Sequence, residues 1–246
     1  MKTHLRNFLV LLLALMASGQ ISFGAGETHF SAGLAAYEAG QFEQSAQAFR
    51  DSLTNQTAAG TLRNLGLAEW RSGHAGAAVL VWEQAAWLNP FDHAARSNLA
   101  YVVEMTQINL PDLSWFEETS TWLPANSWTW IAGGSLWLAV ALVTLPGFFR
   151  WRKAGWHQTV AALALGVFLL CLAPFVGLVT RSNLAIVTAK DTALRLTPTQ
   201  AAEEMVSLPL GEAVRQLRQH GDYCFVHTQN GDGWIDRRQL SFLCPR

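Results

Sequence analysis

The sequence predicts a multidomain membrane protein built from an α-helical repeat domain, a two-helix transmembrane hairpin and a small all-β barrel. Three observations predict it. Residues 128–149 and 159–179 are two apolar stretches without a charged side chain, each long enough for the roughly 20 helical residues that cross a bilayer. Residues 27–109 match themselves at a shift of 33 positions, and beyond Leu184 the chain breaks into short β-branched or aromatic runs separated by turns.

The totals bound what such a chain can be. At 246 residues, half of them hydrophobic and with a net charge of -1, it has room for two small soluble domains and an anchor but not for a large enzyme core. No dense Lys/Arg stripe occurs, which argues against nucleic acid as a partner. The three cysteines lack metal-ligand spacing. There is no His-Glu-x-x-His, Cys-x-x-Cys, Gly-x-Ser-x-Gly or phosphate loop, and the histidines are scattered. The expectation is a non-enzymatic protein without metal or cofactor.

At the N-terminus, Lys2, His4 and Arg6 precede an apolar run from Phe8 to Met16 and then small residues, the pattern of a secretory signal over residues 1–24. Cleavage fits after Gly19 or after Gly24, the second being favoured because helical patterning starts soon afterwards. Left uncleaved as a signal anchor, the segment puts the repeat domain on the same side.

In residues 25–109 the shift of 33 places Gly33 on Gly66, Gly40 on Gly73, Ser45 on Ala78, Phe49 on Trp82 and Ser52 on Ala85. Gly33, Gly66 and Ala100 are expected where two helices touch, with Phe49 and Trp82 filling the gap. Gly40 and Gly73 are expected to end the first helix of each pair in a left-handed cap. Such units bury their faces only by stacking. The second unit, with Leu62-x2-Leu65-Gly66, Ala78-x3-Trp82 and Asn89-Pro90, resembles a tetratricopeptide repeat except that Glu69 stands where that pattern has Tyr. The first unit is weaker, and Asn98-Leu99-Ala100 resembles the start of a third. The resemblance implies a concave, partner-binding groove lined by Tyr37, Arg63, Asn64, Leu67, Trp70, Arg71, Asn98 and Tyr101. Arg63 and Arg71 with Trp70 would clamp an acidic or aromatic segment; the competing reading is a solvated face with Trp70 packed on a neighbouring helix.

Residues 110–127 mix Trp115, Phe116, Trp122 and Leu123 with Glu117 and Glu118, as in a segment lying at a membrane interface. The helices at 128–149 and 159–179 flank a loop, 150–158, that carries Arg150, Arg152 and Lys153. The positive-inside bias keeps that loop cytoplasmic and sends both soluble domains to the extracytoplasmic face. Trp128, Trp130, Trp151 and Trp156 sit where an interfacial belt belongs. Pro146 and Pro174 fall near helix ends, and Gly133, Gly134 and Gly166 are expected to let the helices approach. Ionisable groups are missing from both spans, so the pair reads as an anchor and not as a channel or transporter.

In residues 180–246, strands are expected at 184–188, 205–208, 213–217, 223–228, 233–235 and 239–243, with turns at Pro209-Leu210-Gly211, His220-Gly221-Asp222 and Asn230-Gly231-Asp232-Gly233. The last is a hairpin turn and not a calcium loop, lacking the spaced carboxylates. The order of motifs, with Gly233-Trp234-Ile235 the most telling, resembles a bacterial SH3-like domain. Cys224 and Cys244 are the only cysteines of this part and are expected to form a disulfide. Tyr223 and Trp234 offer either a stacking surface or barrel filling, and for Trp234 the core is expected.

Signal, short repeat array, basic-looped hairpin and C-terminal SH3-like domain, in that order, resemble the E-type members of the bacterial aerotolerance (Bat) family. The resemblance is one of architecture over nearly the whole chain. It implies a scaffold of the inner membrane that works beside von Willebrand A-domain membrane proteins and a MoxR-type ATPase in envelope stress tolerance. The first expectation is an assembly adaptor whose repeat groove takes a partner's segment; the second is a protein that grips peptidoglycan through the SH3-like domain.

Overall fold

The computed structural model describes residues 24–148, apart from 55, 107, 109 and 111, and residues 155–244. The expected signal, up to Phe23, and the loop charges Arg150, Arg152 and Lys153 lie outside the described residues.

Five helices come first: α1 (Gly24–Glu38), α2 (Phe42–Leu53), α3 (Ala59–Arg71), α4 (Ala75–Leu88) and α5 (His93–Thr106), each packed on the next. The two anticipated pairs are built alike. Gly40 and Gly73 take φ of +74° and +84°. Around each, the following N–H reaches five residues back, Gln41 to the Ala36 carbonyl at 2.9 Å and His74 to the Glu69 carbonyl at 2.9 Å, a Schellman closure in both units. A Cβ on Gly33 would stand 2.7 Å from the Phe49 ring, and one on Gly66 would overlap the Trp82 ring. Each pair therefore closes by a glycine against an aromatic ring. Ala100 does not repeat the arrangement: it is exposed, because no further helix of the array follows α5 to cover it. Glu69, the departure from the pattern, is 2 % exposed and paired with Arg50 of α2 and with His74 at 3.0 Å. It ties the first unit to the second by charge where an aromatic would do so by packing.

After the array, α6 (Trp115–Ser120) leads into α7 (Ala125–Phe148), α8 (Gly155–Leu170) and α9 (Leu172–Arg181). Two candidate spans, 22 residues from Ala125 and 27 from Gly155, are long and apolar enough to cross a bilayer. Their outward side chains are bare, Trp137 at 74 % and Leu170 at 76 % exposed, unlike those of helices in a soluble core. The second span breaks at Cys171 because Pro174, in the first turn of α9, has no N–H for the Leu170 carbonyl. The hairpin does not meet at its glycines: Gly133, Gly134 and Gly166 have no neighbour within 4 Å. Ala132, Ala139, Ala161 and Ala164 are the buried positions instead. Alanine at one-turn or two-turn spacing already lets two helices touch.

The C-terminal part is one antiparallel sheet of seven strands: β1 (Leu184–Val187), β2 (Thr192–Arg195), β3 (Glu204–Leu208), β4 (Ala213–His220), β5 (Tyr223–Thr228), β6 (Gly231–Asp236) and β7 (Leu240–Phe242). Their order is β3-β2-β6-β5-β4-β1-β7. The expected closed barrel is not formed. Closure requires the outermost strands to pair, and β3 and β7 stand at opposite edges. β2 was absent from the expected strands, being only four residues after a turn at Asp191, whose φ is +54°.

β1 is the hinge of the architecture, buried at all four residues. Leu184 and Ile186 join the helical core with Phe49, Trp82 and Val102, while Ala185 and Val187 join the sheet core with Leu194, Val226 and Ile235. Alternation along one strand thus welds the repeat array to the sheet. The parts read from sequence as separate soluble domains share a core. Where α4 starts, Gly76 lies against the Gly211 backbone, a Cβ there standing 3.1 Å from the Gly211 nitrogen.

Cys224 and Cys244 are not joined by a disulfide in this structure. Cys224 is buried in β5, Cys244 follows β7, and β4 and β1 lie between those strands. A disulfide needs Cα atoms within about 7 Å. Maleimide is expected to label Cys244 in the folded protein and Cys224 only after unfolding, which mass spectrometry of the labelled peptides checks; a Cys224–Cys244 peptide in the unreduced digest would contradict it.

Candidate functional site

The proposed groove residues lie on α1, α3 and α5, the first helices of the units. The structure brings some of them together. Trp70 and Tyr101 meet edge to face, centroids 6.2 Å apart at 87°, joining α3 to α5. Tyr37 meets Phe42 at 5.3 Å, and the Arg71 guanidinium lies 5.9 Å over the same Phe42 ring. Tyr101 is 53 % exposed and Arg71 is exposed, so this end of the array presents an aromatic and cationic face.

The other half of the expected groove is committed elsewhere. Arg63 bonds Asp92 at 3.1 Å, and its carbonyl accepts the Trp82 indole N–H at 3.1 Å. It stands two turns of α3 from Arg71, about 12 Å along the axis, so the two arginines do not form one clamp. Leu67 packs on the helical core, and Asn64 and Asn98 are half-buried. Among the described residues no group of three or more His, Cys, Asp or Glu side chains is placed to hold a metal ion.

A second constellation escaped the sequence reading. Where α4, α6, α9 and β4 converge, Arg181 is 6 % exposed, its guanidinium 4.5 Å over the Trp87 ring and its Nη1 3.4 Å from the Ser120 hydroxyl. Beside it, Glu117 is 1 % exposed. It accepts two bonds from Arg215, at 2.5 and 3.0 Å, and two from the Ser114 amide and hydroxyl, at 2.9 and 2.8 Å. Burial opposes ionisation of Glu117, but the bonds from Arg215 and Ser114 outweigh it and hold the carboxyl at about 2. Glu83 of α4 is pushed up by burial, with the Arg181 charge opposing. Next to this, the Phe116 carbonyl is pressed against Gly177, a contact no residue with a Cβ permits. Nothing in sequence joins these residues, Glu117 and its partner Arg215 alone standing 98 positions apart; the only signals were isolated charges beside apolar segments.

Glu212, at the turn into β4, is 2 % exposed and its Oε1 lacks a hydrogen-bond partner, so burial raises its carboxyl pKa. A folded-state pKa above the unfolded value means stability falls as pH rises past the unfolded value of 4.5. Glu212→Gln is expected to stabilise the protein at neutral pH by about 1 kcal/mol, with the gain fading below pH 4.5; paired thermal melts at pH 4 and pH 7 check it.

No protein-family model, curated protein or solved structure matches this chain.

Proposed function

We propose that this chain is a non-enzymatic, membrane-anchored adaptor that presents a protein-binding face on the extracytoplasmic side of a bacterial inner membrane. The observation that carries it is the aromatic and cationic face of Trp70, Tyr101, Phe42 and Arg71. Tyr101 and Arg71 are exposed, Trp70 and Phe42 are half-buried beside them with Trp70 packed on the helical core, and such partly packed aromatic and arginine side chains are what protein interfaces use as anchors. Two further features support the reading. The paired helices repeat their closing contacts at a shift of 33, as tetratricopeptide units do. The weld through β1 and the Arg215–Glu117 pair makes the face rigid relative to the anchor. The extracytoplasmic side follows from the signal pattern and the basic loop. The resemblance to the Bat family makes membrane proteins with von Willebrand A-domains, acting with a MoxR-type ATPase, the first partners to test.

A photoreactive residue at Tyr101, exposed enough to be replaced without opening the core, tests it in intact cells. Capture of a membrane-anchored A-domain protein, lost in Arg71→Glu, is the expected result. Absence of any protein adduct at Tyr101 would overturn the assignment of this face.

A specific observation also favours a wall-binding reading. Trp234, expected in a barrel core, lies on the outer face of the sheet, half-buried, 5.1 Å from Phe225 and 6.3 Å from His220. Aromatic rings on an open sheet face suit sugar stacking. Sedimentation with purified peptidoglycan, abolished by Trp234→Ala, would favour this second function; retention in the supernatant leaves the adaptor alone.

A further inference from the structure

We propose that the corner between α4 and α5, built on Leu88 and Phe91 with His93 and Arg96, is a second membrane contact that rests in the headgroup layer of an anionic bilayer. The inference rests on the reading that α7 and α8–α9 cross that bilayer.

Helix α4 has its start at the far end of the sheet, where Gly76 lies against Gly211, and its finish at the end of the second span, where Trp87 stacks on Arg181 at 4.5 Å. The run between is about 16 Å of helix axis. It parallels β1 in reverse, since β1 leaves the span at Leu184 and the Val187 carbonyl accepts the Gly211 amide at 2.8 Å. The C-terminal end of α4 therefore lies beside the end of the second span, and the residues that follow Trp87 emerge there. Those residues are Leu88, 39 % exposed, and Phe91, 57 % exposed, with nothing among the described residues covering them.

Local hydrogen bonds tie the corner, and Arg96 is its exposed charge. The Phe91 amide bonds the Asn89 side chain at 3.1 Å. Asp92, the acid of the corner, is consumed by Arg63 at 3.1 Å and by the Ala95 amide at 3.1 Å. His93 and Arg96 are exposed and flank Phe91. An apolar tip followed by a histidine and an arginine suits the headgroup layer, with lipid phosphate beside the cation and acyl chains beneath the ring. At the same end of the molecule, α6 lies along α9 at Gly177 and leaves Trp115 and Trp122 exposed at 68 % and 62 %. These indoles continue the contact from the span outwards. The consequence is an array held against the bilayer at this corner, with Tyr101, two turns further along α5, clear of the headgroups.

The test uses the full chain in nanodiscs of phosphatidylglycerol and phosphatidylcholine carrying a Cys244→Ser background, with a fluorophore attached at Leu88→Cys, Phe91→Cys, Tyr101→Cys or Trp137→Cys. Lipids bearing a nitroxide near the headgroup are expected to quench the labels at 88 and 91 and to spare the label at 101, with quenching at 91 reduced when phosphatidylglycerol is omitted, while lipids bearing it near the end of the acyl chain quench the label at 137, in the middle of the first span. Quenching at 137 with none at 88 and 91 would overturn the corner contact while leaving the anchor intact. Absence of quenching at 137 as well would overturn the membrane reading and this inference with it.

Discussion

Trp82→Ala is expected to destabilise the repeat array by about 3–5 kcal/mol, the range for emptying a buried tryptophan site. The ring is 1 % exposed, fills the space above Gly66 and donates its N–H to the Arg63 carbonyl at 3.1 Å. Removing it opens a cavity between α3 and α4 and takes away the indole bond to that carbonyl in one step. Gly66→Ala attacks the same contact from the other side by overpacking, and its expected cost is smaller, about 1–3 kcal/mol. Hydrogen exchange of full-length protein in detergent reads both: protection should fall across 59–88 first, and across β1 as well, since Leu184 and Ile186 share the core. A loss below about 1 kcal/mol for Trp82→Ala would mean that the ring does not sit in this cleft.

Arg215→Met should loosen the junction between α6 and the sheet by a comparable amount, about 3–5 kcal/mol, because it leaves Glu117 as a buried charge without its bidentate partner. The pH dependence separates this from simple loss of packing. In the wild type the Glu117 pKa is about 2 folded against 4.5 unfolded. A depressed folded value gives stability that is present above pH 4.5 and lost as pH falls toward 2. The shift corresponds to about 3 kcal/mol at most. In Arg215→Met that acid-linked loss should shrink or reverse, since a buried carboxyl without its cation gains by protonation. Thermal unfolding from pH 6 down to pH 3 measures it; parallel slopes in the two proteins would exclude Glu117 as the source.

Local patterns carried much of this architecture. Residue spacing at 33 positions, glycine at 40 and 73 and the aromatic at 49 and 82 determine two helix pairs with defined caps and contacts, because these depend on neighbours within one unit. Length without charge is enough to mark two helices able to cross a bilayer. β-branched runs and turn residues located six of the seven strands. Alternation said nothing about which strands stand at the edges, and so a barrel was expected where an open sheet forms.

The candidate site divides the same way. The pattern put Trp70 and Tyr101 on the first helices of successive units, but they stand 31 positions apart rather than 33, and only packing decided that their rings meet. Arg63 looked equally free, yet it pairs with Asp92, 29 positions away, and only packing could decide that. The junction of Arg181, Trp87, Glu117 and Arg215 had no sequence signal beyond isolated charges beside apolar segments, since the worth of a buried charge depends on partners that only the folded chain brings within reach. What the sequence alone determined is therefore what short-range periodicity, chain stiffness and hydrophobic length can encode: the helix pairs, two helices able to cross a bilayer and six of the strands. The tertiary structure decided how they join, through β1 buried on both faces and charges satisfied across the junction, because burial and low dielectric are properties of an assembled surface and not of a segment.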